Sequence, residues 1–392
     1  MKGQKRPLNE QAGSRPIRLS IVNPFGYELF DPDARASKVF GGAEVQLYYL
    51  ATALAADDTF DVSMIVERPP GGITPIREGV RMLGVAPTGR HFARLRDRIP
   101  VPSLAYLAAM RRADADVYLQ RGGAVLTGDV ATHCRLAGRR FVFMAAHDWD
   151  CDRRHQQGQQ YLAGAYYTAG LHSAHRVFAQ SNYQQAQLLR HHHIESTVQR
   201  TVYPAYAGAE ARREHVLWVG RCVDWKRPLV FLDLAATRPG TTFVMVCSAY
   251  EGTGALYERL VNRAAELPNV RFLDFVPFAS TDDLFRRAIA FVNTSTAEGF
   301  PNTFVQATRR GTPVMSLDVN PDGVLEQAEI GACANGDTDL LAKQAGDLLS
   351  CPELWNRKSA NCYRYFHREH DLAEKLPAFA DALRAVAARA PR

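Results

Sequence analysis

Ala290-Phe-Val-Asn-Thr-Ser-Thr-Ala-Glu298-Gly-Phe-Pro-Asn-Thr-Phe-Val-Gln306 joins an apolar strand, Ala290 to Thr296, to a short helix. Asn302 marks the start of that helix and Gly311-Thr-Pro313 its end. The junction makes an anion site, because the first backbone N–H groups of a helix lack internal partners and carry the positive end of its dipole. Glu298 at the mouth and Gln306 in the second turn are placed to hold the hydroxyls of whatever carries the anion. A sugar nucleotide fits that description. The same residues also spell an ordinary strand-turn-helix with a polar cap, so the stretch is weighed with its surroundings.

Outward from this junction, short β-branched runs alternate with helical patterns, the signature of parallel sheets wound by helices on both faces. Strands are expected near Ile17 to Asn23, Phe60 to Glu67, Val80 to Val85, Asp116 to Gln120, Arg140 to Ala146 and Arg176 to Gln180. A linker-like stretch, 204–214, follows, and the cycle restarts at His215 to Val219. Further strands are expected near Thr242 to Cys247, Val270 to Phe275, Ala290 to Thr294 and Pro313 to Leu317, and helical pattern runs from Pro352 to Ala390. The fold class is therefore α/β, with two doubly wound, Rossmann-like domains over 17–203 and 215–370. A chain of 392 residues also exceeds what one hydrophobic core normally supports.

Composition narrows the class. With 46% hydrophobic and 22% charged residues the chain is globular. No apolar run is long enough to cross a bilayer, and no signal-peptide pattern opens the sequence. Residues 1–16 are polar and basic and are expected to form a disordered tail. Seven cysteines without CxxC spacing suggest reduced thiols in a cytoplasmic protein, not a disulfide frame or zinc site.

Ligands of doubly wound sheets bind outside the carboxyl ends of the strands. Phe40-Gly41-Gly42-Ala43-Glu44 precedes an amphipathic run, and its glycines allow a ligand close to the backbone; a flexible loop with a helix cap is the plainer reading. Val219-Gly-Arg221-Cys-Val-Asp-Trp-Lys226 ends a strand with two cations five residues apart, able to converge on a diphosphate. His147 closes the strand Phe141 to Ala146, although a lone histidine is more often structural. Asp148-Trp-Asp150 mimics a metal-binding aspartate pair but is accompanied by Arg153 and Arg154, so it is discounted. Asn320 and Asp322, in Asp318-Val-Asn-Pro-Asp-Gly323, either face a sugar or form a turn, and they are left out of the catalytic set. His191-His192-His193 cannot chelate together on a helix and reads as a solvated helix end.

The Glu298 to Gln306 stretch resembles the C-terminal donor motif of retaining glycosyltransferases of family 4, in which two glutamates sit eight positions apart around a Gly-Phe pair. Here the second is Gln306, and an amide offers one acceptor where a carboxylate offers two. Four landmarks in order, the Gly41-Gly42 loop, His147, the Arg221/Lys226 pair and the motif itself, spread the resemblance over about two thirds of the chain. It implies a GT-B architecture, two such domains facing a central cleft, with a final helix, 371–392, returning to the N-terminal domain. It further implies a catalytic set of His147, Arg221, Lys226 and Glu298. Donor binding is implied for Gly41, Gly42, Gly299, Phe300, Pro301, Asn302, Thr303 and Gln306. The activity implied is transfer of a sugar from a nucleoside-diphosphate sugar to an acceptor hydroxyl with retention, with no cofactor and no divalent metal.

Two other classes share parts of this description. A nicotinamide or flavin oxidoreductase lacks its G-x-G-x-x-G signature, since Gly252-Thr-Gly254 has no third glycine. A nucleotide-sugar-binding protein without catalysis is kept open by Gln306. The acceptor is expected to be a saccharide or a lipid-linked saccharide, in glycan, polysaccharide or glycolipid assembly; sugar, nucleotide and linkage are not legible. Net charge is +6, and Gly89 to Ile99 with Arg111-Arg112 concentrates arginine. The region from Arg90 to Arg112 suits either a solvated basic face or docking at the inner face of an anionic membrane. Nucleic acid is not expected as a partner.

Overall fold

The protein is described by a computed structural model over residues 15–38, 40–87, 101–153, 161–206, 208, 211–250 and 252–388. The arginine-rich stretch 89–99, Arg154 and most of the expected tail lie outside the described residues. Arg111 and Arg112 close a helix over Leu104–Ala113, where Arg112 donates to the Gly84 carbonyl at 3.1 Å.

The first sheet runs in the order β3-β4-β2-β1-β5-β6-β7-β8. Its strands are β1 (Ile17–Val22), β2 (Phe60–Glu67), β3 (Ile76–Arg77), β4 (Val80–Val85), β5 (Val117–Arg121), β6 (Arg140–Met144), β7 (Arg176–Ala179) and β8 (Thr197–Val198). All pairs are parallel except β3 with β4. The second sheet, β11-β10-β9-β12-β13-β14, is parallel throughout. It comprises β9 (His215–Arg221), β10 (Phe243–Ser248), β11 (Val270–Leu273), β12 (Ala288–Asn293), β13 (Val314–Ser316) and β14 (Gly331–Cys333). Runs such as Arg140–Met144 are buried at every position because helices cover both faces, which is why they lack alternation. Strands β3, β8 and β14 escaped the sequence reading: two or three residues of mixed polarity at a sheet edge leave no period to detect.

Strand order reverses between β1 and β5 in the first sheet and between β9 and β12 in the second, and these switch points open ligand crevices. Four helices start near them. We label these α1 (Gly42–Ala55), α2 (Val125–Ala137), α3 (Pro228–Ala236) and α4 (Asn302–Arg309). Between β1 and α1 the chain also makes a 3-10 turn, Tyr27–Phe30, and a short helix, Pro32–Ser37.

The helical pattern expected from Pro352 to Ala390 is two helices, α5 (Pro352–Glu369) and α6 (Leu372–Ala388). The break at His370-Asp371 is where the chain crosses between lobes. There Tyr203 N–H donates to the His370 carbonyl and Leu372 N–H to the Tyr203 carbonyl, each at 2.9 Å. His370 Nδ1 meets the Thr201 carbonyl at 2.6 Å. Helix α6 then lies on the first lobe, with Phe379 against Phe178 (5.1 Å between rings) and Arg384 bonded to Asp57 at 2.7 Å. The histidine run differs from the expected solvated end: His192 is buried beside His172, and burial pushes its imidazole down to about 4.

Candidate active site

The second lobe's switch point is built by two loops zipped together. Thr296 N–H donates to the Trp225 carbonyl at 2.8 Å, and Thr294 Oγ1 donates to the Lys226 carbonyl at 2.6 Å while accepting from Trp218 Nε1 at 2.9 Å. Arg227, in the left-handed region at φ 45°, turns the chain into α3; its Nε donates to the Thr294 carbonyl at 2.7 Å and it pairs with Asp318. With both loops fixed, Lys226 Nζ forms an ion pair with Glu298 Oε1, which also accepts from Ser295 Oγ at 2.9 Å. Two residues proposed for catalysis on sequence therefore touch. Arg221 is exposed at the end of β9, its guanidinium 5.0 Å over the Tyr250 ring.

The motif helix α4 begins after Pro301, whose ring carries no N–H and no capping group. Asn302 Nδ2 donates across the cleft to the Gly42 carbonyl at 3.1 Å, so the glycine loop and the motif helix meet. A Cβ on Gly42 would stand 2.5 Å from that amide nitrogen. Gly299 is held more closely. A Cβ there would lie 2.9 Å from the Ala146 carbonyl oxygen, 2.8 Å from the Gln180 side chain and 3.0 Å from Gln184, all on the first lobe. Gly41 is the N-cap of α1, beside the Glu44 carboxylate. Thr303 and Gln306 are half-buried on α4. Phe300 departs from the donor-binding expectation: it is 4% exposed, stacked on His370 (4.9 Å) and under Arg200 (5.7 Å), so it anchors the hinge behind the loop.

His147 follows the carbonyl that Gly299 covers. Its Nδ1 accepts from Trp149 N–H at 3.2 Å and its ring lies 4.6 Å from the Trp149 indole. The neighbouring aspartates do not form a metal-binding pair. Asp150 is buried and accepts from the backbone N–H groups of Gly123 (3.0 Å), Ala146 (2.8 Å) and His147 (3.0 Å), while Asp148 accepts from Gln184. Among the described residues no three His, Cys, Asp or Glu side chains gather as a metal site would require. Asp322 accepts from Asn182 and Tyr183 N–H at 2.9 and 3.0 Å and pairs with Arg200 at 3.2 Å; Asn320 accepts from Leu325 N–H at 3.1 Å. Both belong to structure.

Two participants in this cross-lobe contact, Gln180 and Gln184, were missed on sequence, as was Arg121, whose guanidinium backs Gln180. Arg121 and Gln180 stand at strand ends, where the carboxyl-end rule would have found them, but each reads as the polar last residue of an apolar run.

Residues 40–206 match the family model described as Glycosyltransferase Family 4, and residues 213–351 match that described as Glycosyl transferases group 1. The chain is a group 1/family 4-like glycosyltransferase. The two spans take in most of both lobes. No curated protein sequence matches the glycosyltransferase. Solved structures do match it. Sucrose-phosphate synthase from Thermosynechococcus elongatus superposes with a TM-score of 0.74 at 17% identity, over 94% of this chain and 98% of the other. HepE of Anabaena, in complex with UDP and glucose, gives 0.70 at 16%, over 94% and 100%. WaaG, a glycosyltransferase involved in lipopolysaccharide biosynthesis, gives 0.64 at 15%, over 93% and 99%. At these identities the likeness carries the fold, which is GT-B. No helix among the described residues is long and apolar enough to cross a membrane.

Proposed function

We propose that this glycosyltransferase moves a sugar from a nucleoside-diphosphate sugar to an acceptor hydroxyl with retention at the anomeric carbon. The observation that carries this reading is the Lys226–Glu298 ion pair, seated at the second lobe's switch point beside the Gly299 contact with the first lobe. On this reading the ion pair keeps both groups poised in the cleft, Lys226 for the diphosphate and Glu298 for the sugar hydroxyls. In the step, the bond from the anomeric carbon to the diphosphate oxygen breaks and its electron pair leaves with the diphosphate. The acceptor oxygen bonds to the same face of that carbon, and its proton passes to the departing diphosphate. Arg221, Lys226 and the first amides of α4 stabilise the leaving charge, and His147 contacts the donor near the reacting carbon.

On this reading no divalent ion is needed at the donor site, because Arg221 and Lys226 are assigned to neutralise the diphosphate. The HepE complex with UDP and glucose supports a diphosphate donor for this fold. We propose a saccharide or lipid-linked saccharide acceptor, with the enzyme on the cytoplasmic side. A thermal-shift screen against nucleoside diphosphates, UDP included, followed by labelled nucleotide sugars, tests this: a specific upward shift and slow donor hydrolysis or transfer are expected. Binding with neither hydrolysis nor transfer would make it a nucleotide-sugar binder, the reading that Gln306 keeps open. No shift with any nucleoside diphosphate would overturn both.

A further inference from the structure

The first lobe has a switch point of its own, between β1 and β5, and its charged residue is Arg121 at the end of β5. Arg121 is 8% exposed. Its Nη2 faces the Gln180 side-chain oxygen, with the Gln180 amide oriented to donate to the Ala146 carbonyl at 2.9 Å and to accept from Thr201 Oγ1 at 3.2 Å. Its Nε and Nη1 are buried and have no hydrogen-bond partner. The nearby carboxylates do not supply one: Asp150 is committed to three backbone N–H groups, and Glu44 lies beside Gly41. Burial pushes the guanidinium down to about 10, against the opposing pull of Asp150 and Glu44.

Buried guanidinium groups that serve structure ordinarily have their donors bonded. This one sits below the Gly299 loop, which packs on the same Gln180 side chain. It is followed by Gly122 (φ 83°) and Gly123, which add no side chains to its surroundings, and then by α2, whose N-cap Ala124 offers only a methyl group. The first lobe thus brings one cationic group, Arg121, to the Gly299 contact, and the second lobe brings two, Arg221 and Lys226, to its own switch point. The second lobe's cations already answer to the donor.

We propose that Arg121 is the anion receptor of the acceptor half of the cleft, binding a phosphate or a carboxylate carried by the acceptor saccharide. This rests on the glycosyltransferase reading above and narrows its acceptor to an anionic one. The probe is inorganic phosphate, with acetate in parallel, titrated calorimetrically into the full chain saturated with the nucleoside diphosphate that gives the largest thermal shift. One further site is expected in the wild type. Arg121→Gln should weaken it at least tenfold, and Arg121→Lys several-fold, because an ammonium keeps the charge but not the fork of donors. Preference for phosphate or for acetate identifies which group the acceptor carries.

Wild-type chain that takes up neither anion once the nucleotide site is full overturns the proposal, as does unchanged affinity in folded Arg121→Gln. Should Arg121→Gln fail to fold, Arg121→Lys decides by the same comparison. Failure of the donor reading shows separately, as a chain that no nucleoside diphosphate stabilises; the anion titration is then run on the ligand-free chain.

Discussion

Lys226 and Glu298 carry opposite charges in a part-buried cleft, and each is the nearest partner of the other. Removing one leaves the second without its counter-charge and, on the proposed function, removes one contact to the donor. Lys226→Ala is expected to lower kcat by about 10²- to 10³-fold, the usual effect of losing a donor aimed at developing negative charge. Glu298→Ala should act mainly through sugar orientation and be of similar size. Steady-state transfer assays with circular dichroism as a folding control check both, and near-normal turnover in either variant would remove it from the site. Both residues were legible because each follows a strand in a compact motif. Arg121 was not, since a cation terminating an apolar run looks like ordinary strand punctuation until burial shows that two of its nitrogens are unmet. Phe300 was misjudged for the opposite reason: membership of the motif says nothing of the direction in which a ring points, and here it faces His370.

At the scale of elements, the long central strands and the helices after them were legible from apolar runs, and the short edge strands were not. The crossing between lobes was also hidden, because its bonds join residues about 170 positions apart through backbone carbonyls that any sequence possesses. Helix α6 is held to the first lobe through Phe379, 1% exposed against Phe178, so Phe379→Ala is expected to cost about 3–5 kcal/mol of stability, read from the shift in a urea midpoint. The α5–α6 break adds a pH dependence. Burial pushes the His370 imidazole down to about 3, with the Thr201 carbonyl opposing, against an ordinary value of 6.5. Between those values the unfolded chain binds a proton at this position and the folded chain does not. The stability contributed by neutral His370 is therefore fully present above about pH 6.5 and is lost as the pH falls toward 3. His192, pushed down to about 4, adds in the same direction. Melting temperature should fall on acidification from pH 7 to pH 5, and less steeply in His370→Asn, whose amide can still donate to Thr201. Parallel slopes for the two proteins would show that His370 does not carry the effect.

For the whole molecule, the working unit is the closed pair of lobes. The second lobe carries Lys226 and Glu298 and the first carries His147 and Arg121, and the lobes meet where Gly299 packs on the Ala146 carbonyl and where Asn302 Nδ2 bonds the Gly42 carbonyl. Gly299 has no room for a side chain: a Cβ would press on the Ala146 carbonyl at 2.9 Å, and a carbonyl in a strand-ending loop pinned by Asp150 cannot swing aside as a long side chain would. Gly299→Ala must therefore be relieved by parting the lobes. Since a misplacement of about 1 Å can cost about 10²-fold in rate, kcat/KM should fall by about 10- to 100-fold while each lobe keeps its secondary structure. Small-angle scattering should register a larger radius of gyration for the nucleotide-bound variant than for the nucleotide-bound wild type. Gly254→Ala is the matched control, because a Cβ at that helix start meets nothing within 4 Å. Equal activity and equal compactness of Gly299→Ala and Gly254→Ala would mean that the cleft works without this contact and that closure is set elsewhere, at the hinge through Arg200, Asp322 and His370.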